Sequence, residues 1–464
     1  MQKRVKYDKI IYKVYFKKFM GVSMKKVYKI ANISLGCEKN LVDSEMIIGA
    51  LHKAEFIITT DLNEADIIFI NTCGFITNAK QEAIDTIFNC LQYQESGAKI
   101  VACGCLVQRY LDDLKKLIPE VDLWIPIRDY YRFGELLGEM LEQDCSNICV
   151  KMDNRLLSTP PYMAYVRISD GCNNKCSYCA IPLIRGEFVS RDEEEIVEEV
   201  KKLVYNGVDE INLISQDLTN YGYDIRRKTG KNVTLVTLLK KLVKIENIKW
   251  IRMLYLYPDE ITDELIDFVS KNKLVLPYFD IPIQHASDKL LKWMNRRGTQ
   301  IEIEELVNKI REKVKDSVIR TTLILGFPHE SEKDFNILKD FISRVKFNHL
   351  GAFTYSKEED TTSFSMSGQV SERVKNERMN EIMEIQRWIS LELNKEFVGK
   401  TYECVIESYD EELNKFYGRS YAFAPDDIDG AVIIDYDEDI IIGNFYDIEI
   451  YDADFYDIMG KLKK

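Results

Sequence analysis

The chain of 464 residues holds no apolar run long enough to cross a membrane. Even Ile67 to Ala79 is broken by Asn71, Thr72 and Thr77, and a span needs about 18 or more uninterrupted apolar residues. It lacks a secretory signal: Met1 to Ser23 carries seven Lys/Arg against Asp8, and Tyr and charge interrupt any apolar core. With 22 Gly and 10 Pro there is no collagenous, repetitive or low-complexity bias, so wholesale disorder is excluded. Positive charge is also in deficit. The net charge of −13 argues against general affinity for nucleic acid. What remains is 46% hydrophobic, 30% charged and 11% aromatic, a globular composition whose length suggests about three domains.

Eleven cysteines is an odd number. Without a signal peptide the chain is expected in the reducing cytoplasm, where clustered cysteines serve as metal ligands or catalytic thiols rather than disulfides. Residues 1–24 read as an extension outside the fold, with Met24 a candidate second start.

Over residues 25–150 the strand-like runs Val27 to Leu35, Asp66 to Asn71 and Lys99 to Cys103 alternate with helical stretches at Asp43 to His52 and Asn78 to Gln92. That alternation predicts a doubly wound parallel α/β domain. The segment KMDNRLLSTPP, with Pro160 and Pro161, reads as a linker. Six strand-like runs follow, at 162–169, 210–215, 249–256, 278–284, 319–326 and 348–356, separated by charged helices within a second domain at 158–396. They suit a partial or full (βα) barrel with its chemistry at the strand carboxyl ends. Residues 398–464 change texture to short strands and turns, YECVIES, FYGRSYAFA, AVIIDYD and NFYDIEIYDA, and predict a small all-β barrel.

The first barrel run leads into GCNNKCSYCAIP, which places Cys172, Cys176 and Cys179 in one loop. Soft thiolates select zinc or iron–sulfur centres. Structural zinc needs four ligands, and no fourth Cys or His is near. Three thiolates on an iron–sulfur cluster leave one iron open to a substrate. A second set, Cys37, Cys73 and Cys105, lies in ISLGCEKN, INTCGFI and CGCLVQRY, each at the end of a predicted parallel strand. Such ends converge on one crevice, and Gly36, Gly74 and Gly104 flank them. Cys103 reads as a strand residue pointing away. Cys90, Cys145, Cys149 and Cys404 read as structural, as does His285 at the end of the fourth barrel run.

The C-x3-C-x2-C spacing with Tyr178 before the third cysteine resembles the radical S-adenosylmethionine (SAM) enzymes. With the second set, the chain from about 26 to 464 resembles the methylthiotransferase family, on SLGCEKNLVDSE, NTCGFI, GCLVQRY, GCNNKCSYCAIP and IRGEFVSR, and its tail is similar to a TRAM module. LISQDLTNYGYD, LYLYPDEI, DIPIQHASDKLLKWMNRRGT, LGFPHESEKDF and GRSYAFAPDDIDG resemble the RimO branch of that family. Departures are the variants Phe188-Val189 and Ser215 and the extra Cys103.

The resemblance implies two [4Fe-4S] clusters, one on Cys172, Cys176 and Cys179 that binds SAM, and an auxiliary one on Cys37, Cys73 and Cys105. It implies cleavage of SAM to a 5′-deoxyadenosyl radical and methylthio transfer to the β-carbon of an aspartate in the twelfth small-subunit ribosomal protein. Tyr178 would lie beside the nucleoside; Gln216, Asp217 and Gly326 sit at strand ends where SAM's polar groups would be met. Partners would be that ribosomal protein and a low-potential electron donor such as flavodoxin or ferredoxin, with no membrane and no tRNA. The alternatives are the tRNA adenosine methylthiotransferases of the same family and a non-catalytic iron–sulfur scaffold. Charge favours a protein substrate: from Val398 to Lys464 there are 17 Asp/Glu against six Lys/Arg, a tail that would repel RNA and attract a basic protein.

Overall fold

A computed structural model describes residues 26–464, so the segment 1–24 lies outside the described residues. The described chain forms two units. The first comprises the residues up to Leu35 with Asp43–Cys73 and Glu82–Leu156; the second comprises Gly36–Val42, Gly74–Gln81 and Leu157–Lys464.

In the first unit, β1 (Lys29–Ser34), β2 (Ile57–Ile58), β3 (Ile67–Thr72), β4 (Lys99–Gly104) and β5 (Leu123–Pro126) form a parallel sheet in the order β2-β1-β3-β4-β5. Both faces are covered, which is why β3 reads as an unbroken apolar run, IIFINT, with every residue buried. Ile67, Phe69 and Val101 pack against Ile47, Leu51, Phe133 and Leu137 on one face. Ile68, Ile70 and Ile100 pack against Ala83, Ile87, Leu106 and Leu114 on the other. The domain is doubly wound, as its pattern predicts. β2 and β5 escape the sequence pattern because one has two residues and the other ends in Pro126.

The second unit opens with β6 (Met163–Arg167) and a short antiparallel hairpin, β7 (Ser169–Asp170) and β8 (Val189–Ser190). There follow β9 (Glu210–Ile214), β10 (Trp250–Met253), β11 (Val275–Asp280), β12 (Val318–Leu325) and β13 (His349–Thr354). The parallel order is β13-β12-β11-β10-β9-β6, an open sheet and so a partial barrel. One face of each strand, including Val166, Ile211, Leu213, Ile251 and Phe279, packs on the surrounding helices. The alternate residues Tyr165, Glu210, Arg252, Tyr278, Arg320 and His349 point to the other face and make it polar.

The tail closes a five-stranded barrel from β14 (Thr401–Asp410), β15 (Lys415–Ser420), β16 (Val432–Asp435), β17 (Phe445–Ala453) and β18 (Ile458–Leu462). The fifth strand, IMGKL, escapes the pattern because Gly460 and Lys461 interrupt it; a Cβ at Gly460 would meet Ile448 at 2.4 Å. The run FYGRSYAFA is strand only to Ser420. Beyond it the chain turns onto the polar face of the (βα) sheet. There Arg252 Nη1 donates to Tyr421 O at 3.0 Å, and His349 Nε2 meets Ala422 O at 2.8 Å. Asp429 accepts from Tyr278 Oη at 2.5 Å and Arg320 Nε at 3.1 Å.

Glu210 is the centre of this junction. Fully buried, it accepts from Arg419 Nη2 at 2.7 Å and Arg252 Nε at 3.2 Å. Burial pushes its carboxyl up, but Arg419 and Arg252 outweigh burial and hold it below its ordinary value. Glu210→Gln removes the carboxylate shared by two buried guanidiniums, leaving Arg252 without its anion and Arg419 with Glu407 alone at 2.8 Å. The variant is expected to lose about 3–5 kcal/mol of stability in urea denaturation of the full chain. A loss below about 1 kcal/mol, the size of a surface pair, would contradict the junction as described.

Candidate metal centre

The cysteine loop begins where β6 and β7 end. Gly171 has φ +74, and a Cβ there would lie 2.1 Å from Glu187 O, so only glycine lets the chain turn here. Hairpin pairing of Asp170 with Val189 and the Cys172 N–H to Gly186 O bond (3.2 Å) clamp the loop's base. The Cys179 N–H donates to Cys176 O at 3.1 Å, making a turn that leads into the helix Ile181–Arg185.

Cys172, Cys176 and Cys179 are each half-buried. Cys172 Sγ accepts from Asn174 N and Nδ2, both at 3.5 Å, and Cys179 Sγ accepts from Ile181 N at 3.4 Å. Cys176 Sγ lies 3.8 Å from Tyr257 Oη. Arg296 stacks over the Tyr257 ring at 4.1 Å and donates to Pro282 O at 2.5 Å. Burial pushes the Cys172 thiol up to about 11, with Asp217 and Cys176 adding to the rise. Burial, and then the charge of Cys176, raises Cys179 further. Cys172 and Cys179, thiols that resist ionising yet already accept from N–H donors, lie in one loop with Cys176, and together they are a donor set that a bound cation would complete. Among the described residues no group of three or more His, Cys, Asp or Glu side chains could hold a single metal ion. A four-iron cluster takes each thiolate on its own iron, and the three cysteines of the loop fit that donor set.

The residues expected to meet SAM surround this loop. Gln216 donates through Nε2 to Asp170 Oδ1 at 3.0 Å, which leaves Oε1 buried with no partner and ready for a ligand's donor. Asp217 is spent otherwise: it accepts from Asn174 Nδ2 at 2.6 Å, Thr219 Oγ1 at 2.7 Å and Asn220 Nδ2 at 2.6 Å, and so shapes the loop. Tyr178 packs against Leu290, Met294, Phe327 and Tyr355. The N–H of Gly326 donates to Glu330 Oε2 at 2.6 Å; a Cβ there would meet Lys375 at 2.3 Å, and φ is +73. Asn174, Tyr257 and Arg296 are the functional neighbours that sequence reasoning missed. All three lie in stretches singled out above, but nothing along the chain places residues 257 and 296 beside residue 176.

In the first unit, Cys73 follows β3 directly and Cys105 follows β4 directly; both are buried. Gly104 (φ +94) turns the chain from β4 into Cys105, and a Cβ there would lie 2.2 Å from Asn71 Oδ1. Cys37 follows β1 by three residues, is exposed, and belongs with Gly36–Val42 to the second unit. Gly36 has φ +87, whereas Gly74 is not among the glycines with positive φ. Cys103 is fully buried in the core of the first unit, as are Cys90 and Cys145, and Cys404 is buried in the tail barrel; Cys149, expected to be structural, is exposed.

Three family profiles match the chain: Uncharacterized protein family UPF0004 over 29–126, the Radical SAM superfamily over 166–342 and the TRAM domain over 398–462. The chain is 44% identical over 443 residues to ribosomal protein uS12 methylthiotransferase RimO of Clostridium botulinum, covering 93% of this chain and 98% of the relative. The protein of the same name from Clostridioides difficile is 44% identical over 441 residues, with 93% and 98% coverage. The one from Acetivibrio thermocellus is 42% identical over 449 residues, with 94% and 98% coverage. Among solved structures, the radical SAM methyltransferase TsrM of Kitasatospora setae, with cobalamin and a [4Fe-4S] cluster bound, is similar at a TM-score of 0.52. At 13% identity, over 81% of this chain and 79% of that one, the likeness shows the fold alone.

His285 serves the frame of the site. Its Nδ1 accepts from the N–H groups of Ala286 and Ser287, both at 2.9 Å. Burial lowers its pKa from 6.5 to about 3. The folded state thus refuses a proton that the unfolded state takes up below about 6.5. Stability from this group is complete above that pH and is lost as pH falls toward about 3, by up to about 1.4 kcal/mol per unit. His285→Asn is expected to flatten the acid limb of stability against pH between those values. An unchanged limb would contradict a neutral, buried His285.

Proposed function

The chain belongs to the RimO family of ribosomal protein uS12 methylthiotransferases, and from that premise we propose that it adds a methylthio group to the β-carbon of an aspartate in ribosomal protein uS12. The observation that carries this reading is 44% identity spread over 93% of the chain and 98% of the relative. We assign Cys172, Cys176 and Cys179 to the [4Fe-4S] cluster that binds SAM, and Cys37, Cys73 and Cys105 to the auxiliary [4Fe-4S] cluster. The domain limits proposed are 25–150, 158–396 and 398–464.

When bound, the clusters and SAM supply one-electron chemistry that takes hydrogen from an unactivated carbon, which no side chain of near-neutral pKa can do as a base. The chain's own residues hold and orient. Asn174 and the Ile181 N–H donate to the thiolate sulfurs and shape the loop. Gln216 offers its unpartnered oxygen to SAM. Tyr178, seated on Leu290, Met294 and Phe327, gives the nucleoside an apolar wall that excludes water. Asp217 and Gly326, both tied to protein partners, keep the strand ends in shape around it.

We place the enzyme in the cytoplasm with a low-potential donor such as flavodoxin or ferredoxin. Among the described residues no helix is long and apolar enough to cross a membrane. The acidic tail favours a basic protein over tRNA, but not all its acids face outward: Asp429 is buried, Asp426 bonds the Tyr165 phenol, and Asp435 is paired with Lys415. Asp437 is likewise paired with Lys464 at 3.1 Å, so docking charge is assigned to exposed carboxylates such as Glu438 and Asp439.

Anaerobic reconstitution is expected to load about eight irons, two four-iron clusters. Cys172, Cys176 and Cys179 changed together to Ala should halve the iron and end 5′-deoxyadenosine formation. Cys37, Cys73 and Cys105 changed together should halve the iron, keep 5′-deoxyadenosine formation and end methylthio transfer. Full iron in either triple variant would contradict the ligand assignment. Separately, the E438Q/D439N variant is expected to bind uS12 several-fold more weakly at low salt, with the difference closing as salt rises. Equal affinity at low salt, or tighter binding of the native protein to tRNA, would contradict the docking surface.

A further inference from the structure

The segment that leaves β10, Leu254–Tyr255–Leu256–Tyr257, is braced along its whole length. The Leu254 N–H donates to Leu213 O at 3.2 Å and the Leu218 N–H to Tyr255 O at 3.1 Å. The Leu256 N–H donates to Asp280 O at 2.9 Å and the Tyr257 N–H to Thr219 Oγ1 at 3.1 Å. Within it Tyr255 has φ +66, a left-handed conformation that is costly for a bulky residue. Its N–H is held by Asp280 Oδ2 at 2.9 Å, and Asp280 is itself held by Arg320 Nη1 at 3.0 Å. Strain held in place by this many bonds points to a use for the side chain's direction.

The two phenols of this braced segment meet two different loops. Tyr257 Oη lies 3.8 Å from Cys176 Sγ. Tyr255 Oη bonds Glu38, the residue after Cys37, and Lys39 Nζ sits 3.1 Å above the Tyr255 ring. Glu38 and Lys39 are themselves paired at 3.4 Å, and both are buried in side chain. Thus Glu38, Lys39 and Tyr255 form one compact polar knot within the second unit, beside Cys37.

We propose that Tyr255 and Tyr257 are positioning residues, one for each cluster. Tyr257 donates to the Cys176 thiolate, and Tyr255 fixes the Cys37 loop through Glu38, so that one rigid segment sets both. This rests on the assignment of Cys176 and Cys37 as ligands. A hydrogen bond to a cluster sulfur stabilises the more negative, reduced cluster and raises its potential. A fixed Cys37 loop holds that ligand of the auxiliary cluster in one orientation.

The test uses reconstituted full-length protein, read by electron paramagnetic resonance, potentiometric titration and product ratio. The native protein must first show two cluster signals; one signal alone would defeat the ligand assignment and not this proposal. Given two, Tyr257→Phe is expected to shift the SAM-binding cluster's midpoint to lower potential. At limiting reductant it should slow 5′-deoxyadenosine formation about tenfold, the worth of one charge-assisted hydrogen bond. Tyr255→Phe is expected to alter the auxiliary signal and lower the ratio of methylthiolated uS12 to 5′-deoxyadenosine about tenfold. Glu38→Ala, from the other side of the contact, should reproduce Tyr255→Phe. Native signals, potential and ratio in the tyrosine variants, or an effect of each on the other's cluster only, would overturn the proposal.

Discussion

A thiol taken out of water resists losing its proton, and that constraint governs the carboxyl end of the partial barrel. Cys172, Cys176 and Cys179 are half-buried in one short loop, and burial together with their neighbours' charges raises the thiols of Cys172 and Cys179. A bound cation would offset that cost and hold neighbouring thiolates side by side. The surroundings serve that end: Gly171 admits the turn, the β7–β8 hairpin clamps the base, and Asn174, Ile181 and Tyr257 line the sulfurs with donors. On the proposed ligand set of three thiolates, one iron would stay open for SAM, as radical chemistry on an inert carbon requires.

The second dependence lies on the polar face of the same sheet. Strand positions that would be apolar in a closed, filled barrel are here Glu210, Arg252, Arg320 and His349, and the chain after β15 comes down on them. Buried ion pairs are weak sources of stability but strong constraints on geometry once formed, because a single missing partner leaves a stranded charge. The tail barrel is therefore fixed to the sheet that carries the cysteine loop, which orients whatever the tail binds relative to that loop.

Much of this was legible in the sequence. Strands buried on both faces, such as IIFINT, announce themselves as apolar runs, and the C-x3-C-x2-C loop is a local pattern that needs no fold to be seen. β2, β5 and β18 were not legible, being short or broken by Pro126 and Gly460. The charged junction was hidden too. Asp426 and Asp429 count in the sequence as acidic surface, yet one meets a phenol and the other is buried against Arg320 and Tyr278. Residues that act through contacts across the fold, Tyr255 on Glu38 and Arg296 by Tyr257, carry no signal along the chain because their partners lie scores of residues away.

The central claim is methylthio transfer to a ribosomal protein and not to tRNA. Mass spectrometry of uS12 and of tRNA nucleosides, from cells lacking this gene and from the same cells with it restored, tests that claim most directly. The account expects the methylthio mass on a uS12 aspartate to vanish and return with the gene while methylthiolated adenosine stays constant. Loss of the modified adenosine with uS12 unchanged would contradict it.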